Sequence, residues 1–285
     1  MKVHATLAHE VRCSGIAVHS GKITHLVIKP APFEYGIQFL VSGCSLMAHW
    51  QQVGSTRSMT TLTAQQKNTH LGMVEHFLAA CYGIGLTDLC IEVDGEECPI
   101  FDGSSEPYVN LLQQGGRKES TLETQWIVMQ ESLSLVKEQQ RIEVSPGLPS
   151  FSVSMPLSKD IVHHYSYSVL EGNFIEEIAP SRTFVKLEDI QNLRNSGFIQ
   201  GGSLSCAVVL KDGIPINTEG FRLDQECARH KILDLIGDFA LLGKFFYGQV
   251  SAVFPGHSLN HAMLKAIMHN PHAFQVLPFH QLPLG

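Results

Sequence analysis

The 285-residue sequence predicts an α+β protein made of two domains of similar build that face each other, with a site between them. Three observations lead to this. Each half of the chain passes through early strands, a helix stopped by glycine, a strand and a second helix, a weak internal echo in element order rather than in sequence identity. A polar, glycine-containing stretch, Gly115–Glu123, lies between the halves where a linker would. With 44% hydrophobic and 16% charged residues, the chain is apolar enough and long enough for one large domain or two ordinary ones.

In the first half, Val3–Val11 and Ile23–Lys29 are rich in β-branched and other apolar residues and read as strands, with Ser14-Gly15 and Ser20-Gly21 as turn signals. From His70 to Tyr82 the apolar residues Leu71, Val74, Leu78, Ala79 and Cys81 recur mostly three or four apart, and Gly83-Ile84-Gly85 closes the run as a helix stop. Leu89–Val93 follows as a strand, Asp94-Gly95 as a tight turn, and Ser104–Gln113 as a second helix. Domain I is assigned to residues 1–118.

In the second half, Trp126–Met129, Leu133–Lys137, Arg141–Val144 and Phe151–Met155 read as strands, and Leu187–Asn195 as helical. Ala207–Leu210 is an apolar strand closed by Asp212-Gly213. A long helix, Asp224–Leu242, stops at Gly243, and strand Gln249–Phe254 and helix His257–Met268 complete domain II, residues 124–270. The tail, 271–285, has no clear period and is expected to wrap the surface or lie loose.

The net charge of −7, with acids and bases interspersed, gives no electrostatic support to a nucleic-acid-binding surface. No window approaches about 18 consecutive apolar residues, and the first 30 residues carry no signal-type stretch, so no membrane span and a cytoplasmic location are expected. Seven cysteines without a C-x-x-C pair argue against a disulfide framework and a thiolate metal site. Fifteen histidines are many for this length, and the question is which of them carry chemistry.

Helix Asp224–Leu242 is the most informative segment. His230, Asp234 and Asp238 stand at i, i+4 and i+8, and with Cys227 and Lys231 they share a sector of about 100°. Such a stripe is ordinarily the solvated side of an amphipathic helix. Here the broad apolar arc opposite implies a largely buried helix, and a histidine and a carboxylate one turn apart can reach one divalent ion. A third ligand must then come from elsewhere. Glu75 and His76 are neighbours on the other glycine-stopped helix; a metal-binding histidine beside a carboxylate that faces the bound water has the logic of the H-E-x-x-H helix without its spacing. His257 follows Phe254-Pro255-Gly256 and opens a helix, where a histidine is either functional or merely polar. Spacing alone yields a metal site and no defined reaction.

The residues then resemble one family. Ser14-Gly15-Ile16-Ala17-Val18-His19-Ser20-Gly21-Lys22 is similar to the G-x-x-x-H-[ST]-G-K signature of the UDP-3-O-acyl-N-acetylglucosamine deacetylases, zinc amidases of lipid A synthesis. Met73–Ala80 resembles their T-V-E-H-L-x-A-A helix, and the run from Ile91 to Ser104 their V-D-G…P-I-x-D-G-S block. In the second half, Ala179–Phe184 resembles A-x-A-R-T-F, Gly201-Gly202-Ser203 resembles G-G-S, Arg229–Asp238 resembles R-H-K-x-L-D-x-x-G-D, and Gly256–Asn260 resembles G-H-A-L-N. The motifs occur in family order across residues 14–260.

The resemblance implies two β-α-α-β layered domains packed face to face. It implies that His76, His230 and Asp234 hold Zn2+, although a His/His/Asp set also accepts Fe2+. Glu75 would be the general base, and His257 the group that stabilises the oxyanion or protonates the leaving amine. Thr183 would hydrogen-bond the oxyanion, Asp238 would orient His257, and Lys231 and Phe184 would contact substrate. His19 and Gly202 would lie near the substrate too. The implied reaction is removal of the N-acetyl group from an acylated UDP-amino sugar by a monomer. A paralogous deacetylase for another N-acetyl amino sugar and a non-catalytic protein with a structural metal are the alternatives. Three departures bear on the substrate: Phe254 stands where the family usually has lysine, Val185-Lys186 where it has glycine and an aromatic, and Ser158–His164 replaces an Asn-His-Pro-type segment. Gln51–Thr69 and Val185–Gln200 are expected to edge the site.

Overall fold

The computed structural model describes residues 1–64 and 69–283. Its α+β fold is organised around two five-stranded sheets. The first has the order Val11–Ile16, Ile23–Pro30, Leu89–Asp94, Ile37–Val41, Cys44–Met47; the second has the order Leu133–Lys137, Gln140–Ser145, Gln249–Val253, Ser150–Pro156, Val162–Ser168. In both, the strand that comes last in the chain inserts at the centre, antiparallel to the second strand and parallel to the third. The internal echo is therefore a repeat of topology.

Helices α1 (Val74–Ile84) and α2 (Glu106–Gln114) belong to the first half, and α3 (Phe174–Glu177) and α4 (Ile190–Asn195) lie in an insertion of the second. Helices α5 (Glu226–Ala240) and α6 (His257–Met268) cover the second sheet, and α1 lies along α5, so the layers run sheet, helices, helices, sheet. Strand Ile23–Pro30 shows how each sheet takes part: Thr24, Leu26 and Ile28 are buried while Ile23 and His25 face out, the alternation of a sheet with one covered face. Helix α1 is sandwiched on both sides and buries every residue from Val74 to Tyr82. Phe77 packs edge-on against Phe39 and Tyr108, and Phe239 on α5 against Phe151. At the crossing of α1 and α5, a Cβ on Gly237 would lie 2.1 Å from the Glu75 carbonyl oxygen, so only glycine permits that contact.

Several expectations need correction. Val3–Val11 is two strands, Val3–Leu7 and Val11–Ile16, and Ser14-Gly15 lies inside the second rather than at a turn. Gly15 is needed there because a Cβ would stand 2.8 Å from that of Pro99. Helix α1 starts at Val74, not His70; Thr69–Leu71 pairs with Leu62–Ala64 instead. The stretch read as a linker contains strand Arg117–Glu123, antiparallel to Val3–Leu7, since backbone pairing does not need an apolar face. In the tail, Phe274–Pro278 pairs with Gln125–Met129, which also pairs with Phe245–Tyr247. Residues 65–68 of the expected Gln51–Thr69 edge, and the last two residues of the tail, lie outside the described residues. No helix among the described residues is long and apolar enough to cross a membrane.

Candidate active site

Both helices at the crossing begin after a residue in the left-handed region, Met73 at φ 58° and Gln225 at φ 56°. Glu75 and His76 thereby occupy the first turn of α1, facing the stripe of α5 that carries His230, Asp234 and Asp238. His76 Nε2 is 3.6 Å and His230 Nε2 3.3 Å from Asp234 Oδ1. One donor atom from each of the three buried residues lies within 4.8 Å of the others.

The surroundings prepare these atoms as ligands. His230 Nδ1–H donates to the Ser181 carbonyl at 3.0 Å, which leaves the Nε2 lone pair facing Asp234. Ser181 is anchored by its neighbour Arg182, whose Nε and Nη2 donate to Glu226 at 2.8 and 3.1 Å at the start of α5. Burial pushes His230 down to about 4, so the ring is neutral, as a ligand must be. Burial alone would raise Asp234, but the Lys231 ammonium holds it well below the usual carboxylate range. Lys231 Nζ donates to Asp234 Oδ2 at 2.6 Å, whereas the buried Oδ1 has no hydrogen-bond partner. A buried, unpaired carboxylate oxygen between two imidazole nitrogens is costly unless a cation completes it. The donor set therefore fits a divalent metal ion.

Beside this set stands a second group of charges. Glu75 Oε1 lies 3.4 Å from His257 Nε2, and His257 Nδ1 lies 2.9 Å from Asp238 Oδ2. Burial opposes charge on His257, yet the Asp238 and Glu75 carboxylates raise it to about 10, so the ring is cationic at neutral pH. Burial raises Glu75, against the pull of His257 and His76. Asp238 would also be raised by burial, but the His257 and His261 rings hold it below the usual range.

The three ligand candidates, Glu75 and His257 line a cavity of about 670 Å³, with Lys231, Thr183, Phe184, His19 and Gly202 also in its wall. Asp238 is fully buried behind His257. Much of the remaining wall is apolar: Val185, Leu187, Ile190, Leu193, Ile199 and Val209 come from the second-half insertion. That insertion closes onto the first half, where the Gln200 and Gly201 N–H groups each donate at 3.0 Å to the carbonyls of His19 and Val18. Gly201 fits because a Cβ would stand 2.7 Å from the Ala17 carbonyl oxygen. The Ile199 N–H donates to His19 Nδ1 at 3.3 Å. Thr56 and Ser58 supply a further edge from the first half.

Phe254, at φ 50°, instead lines a second cleft of about 370 Å³ together with Lys159 and Lys186. Sequence reasoning missed Thr60, Asn260 and His261, all bonded to or beside Asp238. His261 carried a usable signal, one turn after His257 on α6; Thr60 carried none.

A family model described as UDP-3-O-acyl N-acetylglycosamine deacetylase matches residues 4–269. The chain is 33% identical over 280 residues to the UDP-3-O-acyl-N-acetylglucosamine deacetylase of Myxococcus xanthus, covering 96% of this chain and 88% of that protein. Proteins of the same name in Teredinibacter turnerae and Anaeromyxobacter dehalogenans are 33% and 34% identical, over 96% and 95% of this chain and 93% and 89% of theirs.

Proposed function

The chain belongs to the UDP-3-O-acyl N-acetylglycosamine deacetylase family, and from that premise we propose that it hydrolyses the N-acetyl amide of UDP-3-O-acyl-N-acetylglucosamine in the committed step of lipid A biosynthesis. The observation that carries this reading is the convergence of His76 Nε2, His230 Nε2 and Asp234 Oδ1 beside the Glu75–His257 pair on the wall of a largely apolar cavity.

We assign His76, His230 and Asp234 to zinc, a set that iron(II) would also fit. A bound ion would polarise the amide carbonyl and lower the pKa of the attacking water towards about 7. Glu75 takes that water's proton as general base, a role its raised pKa supports. Oxygen adds to the carbonyl carbon, and the Thr183 hydroxyl and cationic His257 stabilise the negative charge on the carbonyl oxygen. His257 then gives its Nε2 proton to the sugar nitrogen as the C–N bond breaks, so acetate and a free amine leave. Asp238 keeps His257 oriented and charged.

Lys231, Phe184, His19 and Gly202 contact the sugar, and the apolar wall from Val185 to Val209 takes the 3-O-acyl chain. For the diphosphate we assign Lys159 and Lys186, which share the cleft of Phe254 and whose ammonium groups have no hydrogen-bonding or ionic partner among the described residues. One chain supplies every part of the site, so a monomer suffices, and we place it in the cytoplasm.

The test is acetate release from UDP-3-O-acyl-N-acetylglucosamine by zinc-loaded protein. Glu75→Gln should keep its metal and lose roughly 10²- to 10⁴-fold in turnover. Release from a different N-acetyl sugar but none from this substrate would favour a paralogous activity; undiminished turnover in Glu75→Gln would remove the general base from the scheme.

A further inference from the structure

Thr60 lies outside any helix or strand, has no surface exposure and does not line the cavity. Yet it touches every part of the proton-transfer apparatus. Its carbonyl accepts the Val74 N–H at 3.5 Å at the start of α1, and its own N–H donates to Glu75 Oε2 at 3.1 Å. Its hydroxyl donates to Asp238 Oδ1 at 2.6 Å, across 178 residues of sequence. We infer that Thr60 is a positioning residue whose hydroxyl locks Asp238, and through it His257, into the orientation that faces Glu75. The inference rests on the roles assigned above to Glu75 and His257.

The direction of the hydroxyl bond follows from its neighbours. His257 Nδ1 and His261 Nε2 each lie 3.3 Å from Thr60 Oγ1, but both also face Asp238. With rings donating to the carboxylate, the short 2.6 Å contact takes the hydroxyl proton. Asp238 then has donors on both oxygens: Thr60 and, at 3.5 Å, His261 on Oδ1; His257 and Asn260 at 2.9 and 2.8 Å on Oδ2. A carboxylate held at both ends cannot turn about its Cβ–Cγ bond, so the plane of the His257 ring is fixed and Nε2 points to Glu75. Without the hydroxyl, Oδ1 keeps only the long His261 contact, and the carboxylate, held firmly only at Oδ2, gains freedom to turn. The backbone bond to Glu75 survives any side-chain change at position 60, so a substitution there acts through Asp238.

The experiment compares Thr60→Val and Thr60→Ser, each alone and in an Asp238→Ala background, for steady-state turnover, metal content and thermal midpoint. Thr60→Val should lower kcat by roughly ten- to a hundredfold, the loss of one hydrogen bond to a charged group, with KM and metal content within about twofold of wild type. Thr60→Ser should recover to within about threefold, and in the Asp238→Ala background Thr60→Val should cost less than about threefold because its acceptor is gone. Three results would overturn the inference: wild-type kcat in Thr60→Val, equal damage from Ser and Val, or the full loss of Thr60→Val without Asp238. If Thr60→Val loses its cooperative unfolding transition, Thr60→Ala is read by the same criteria. An inactive wild-type protein would instead defeat the deacetylase reading on which the roles depend.

Discussion

Replacing Asp238 by asparagine tests what keeps His257 charged. His257 is raised from 6.5 to about 10 although burial pulls the other way. At about 1.4 kcal/mol for each pH unit, that difference is worth about 5 kcal/mol of preference for the imidazolium. Two carboxylates face the ring, Asp238 at 2.9 Å with a hydrogen bond and Glu75 at 3.4 Å. Asp238 is the larger contributor. Losing it should cost about 2 kcal/mol or more of that preference, because the attraction must also outweigh the burial penalty and the net figure understates each carboxylate's share. The sign follows from the direction of the shift: the protonated ring is present below its pKa and lost as pH rises through it. In wild type the limb of kcat/KM that His257 controls should therefore fall only towards pH 10, and in Asp238→Asn at least about one pH unit lower. The assay is acetate release from pH 6 to 10.5 with metal content measured at each pH. A limb at the same pH in both proteins would refute the electrostatic argument and leave Asp238 with orientation alone.

Gly237→Ala puts a methyl group where 2.1 Å separates it from the Glu75 carbonyl, so α1 and α5 must move apart; the expected cost is about 1–3 kcal/mol. The thermal midpoint should fall by about 2–10 °C and metal affinity should weaken, because His76 rides on the same turn; unchanged values for both would show that the crossing relaxes freely. Metal binding should itself stabilise the fold, by about 2.7 kcal/mol at roughly a hundred times its Kd. That gain should vanish in His230→Ala and Asp234→Ala, and a thermal midpoint that rises equally with metal in wild type and both variants would place the ion elsewhere.

How much of this was legible depended on the distance over which each feature is set. The His230, Asp234, Asp238 stripe is local, one turn per step on one helix, and it could be read before any fold was known. Spacing alone gives Glu75-His76 as a pair but not as the partner of that stripe, which only the family resemblance implies, because the meeting depends on Gly237, which in sequence is only a glycine inside a helix. The echo of element order was visible, yet the strand order was not. Ile37–Val41 and Cys44–Met47 are apolar but very short, and Val162–Ser168 carries His163-His164 followed by alternating tyrosines and serines, so their places in the sheets are set by their neighbours. Arg117–Glu123 misled for the same reason: its residues are polar and mostly exposed, and its strand exists through backbone bonds to Val3–Leu7. Thr60 could not be found at all, since its one informative bond spans 178 residues.

The repeated topology explains why the site is asymmetric. Each half interrupts its sheet at the same place, between its last edge hairpin and the helix that meets the other half. In the first half the interruption, from Trp50 to Leu71, carries Thr60 under the first turn of α1, where it reaches Glu75 and Asp238. In the second half it runs from Phe174 to Pro215 and supplies most of the apolar wall of the cavity. The helices diverge in parallel: α1 brings Glu75 and His76, and α5 brings His230, Asp234 and the Asp238 carboxylate that bonds His257. Equivalent insertion points thus differ in what they supply, one bonding Glu75 and Asp238 through Thr60 and the other forming most of the apolar cavity wall that we propose takes the acyl chain. Substitutions in the wall, such as at Leu193 or Val209, can then alter which chain fits while the bonds among Thr60, Glu75, Asp238 and His257 stay intact, because none of those bonds passes through the second insertion.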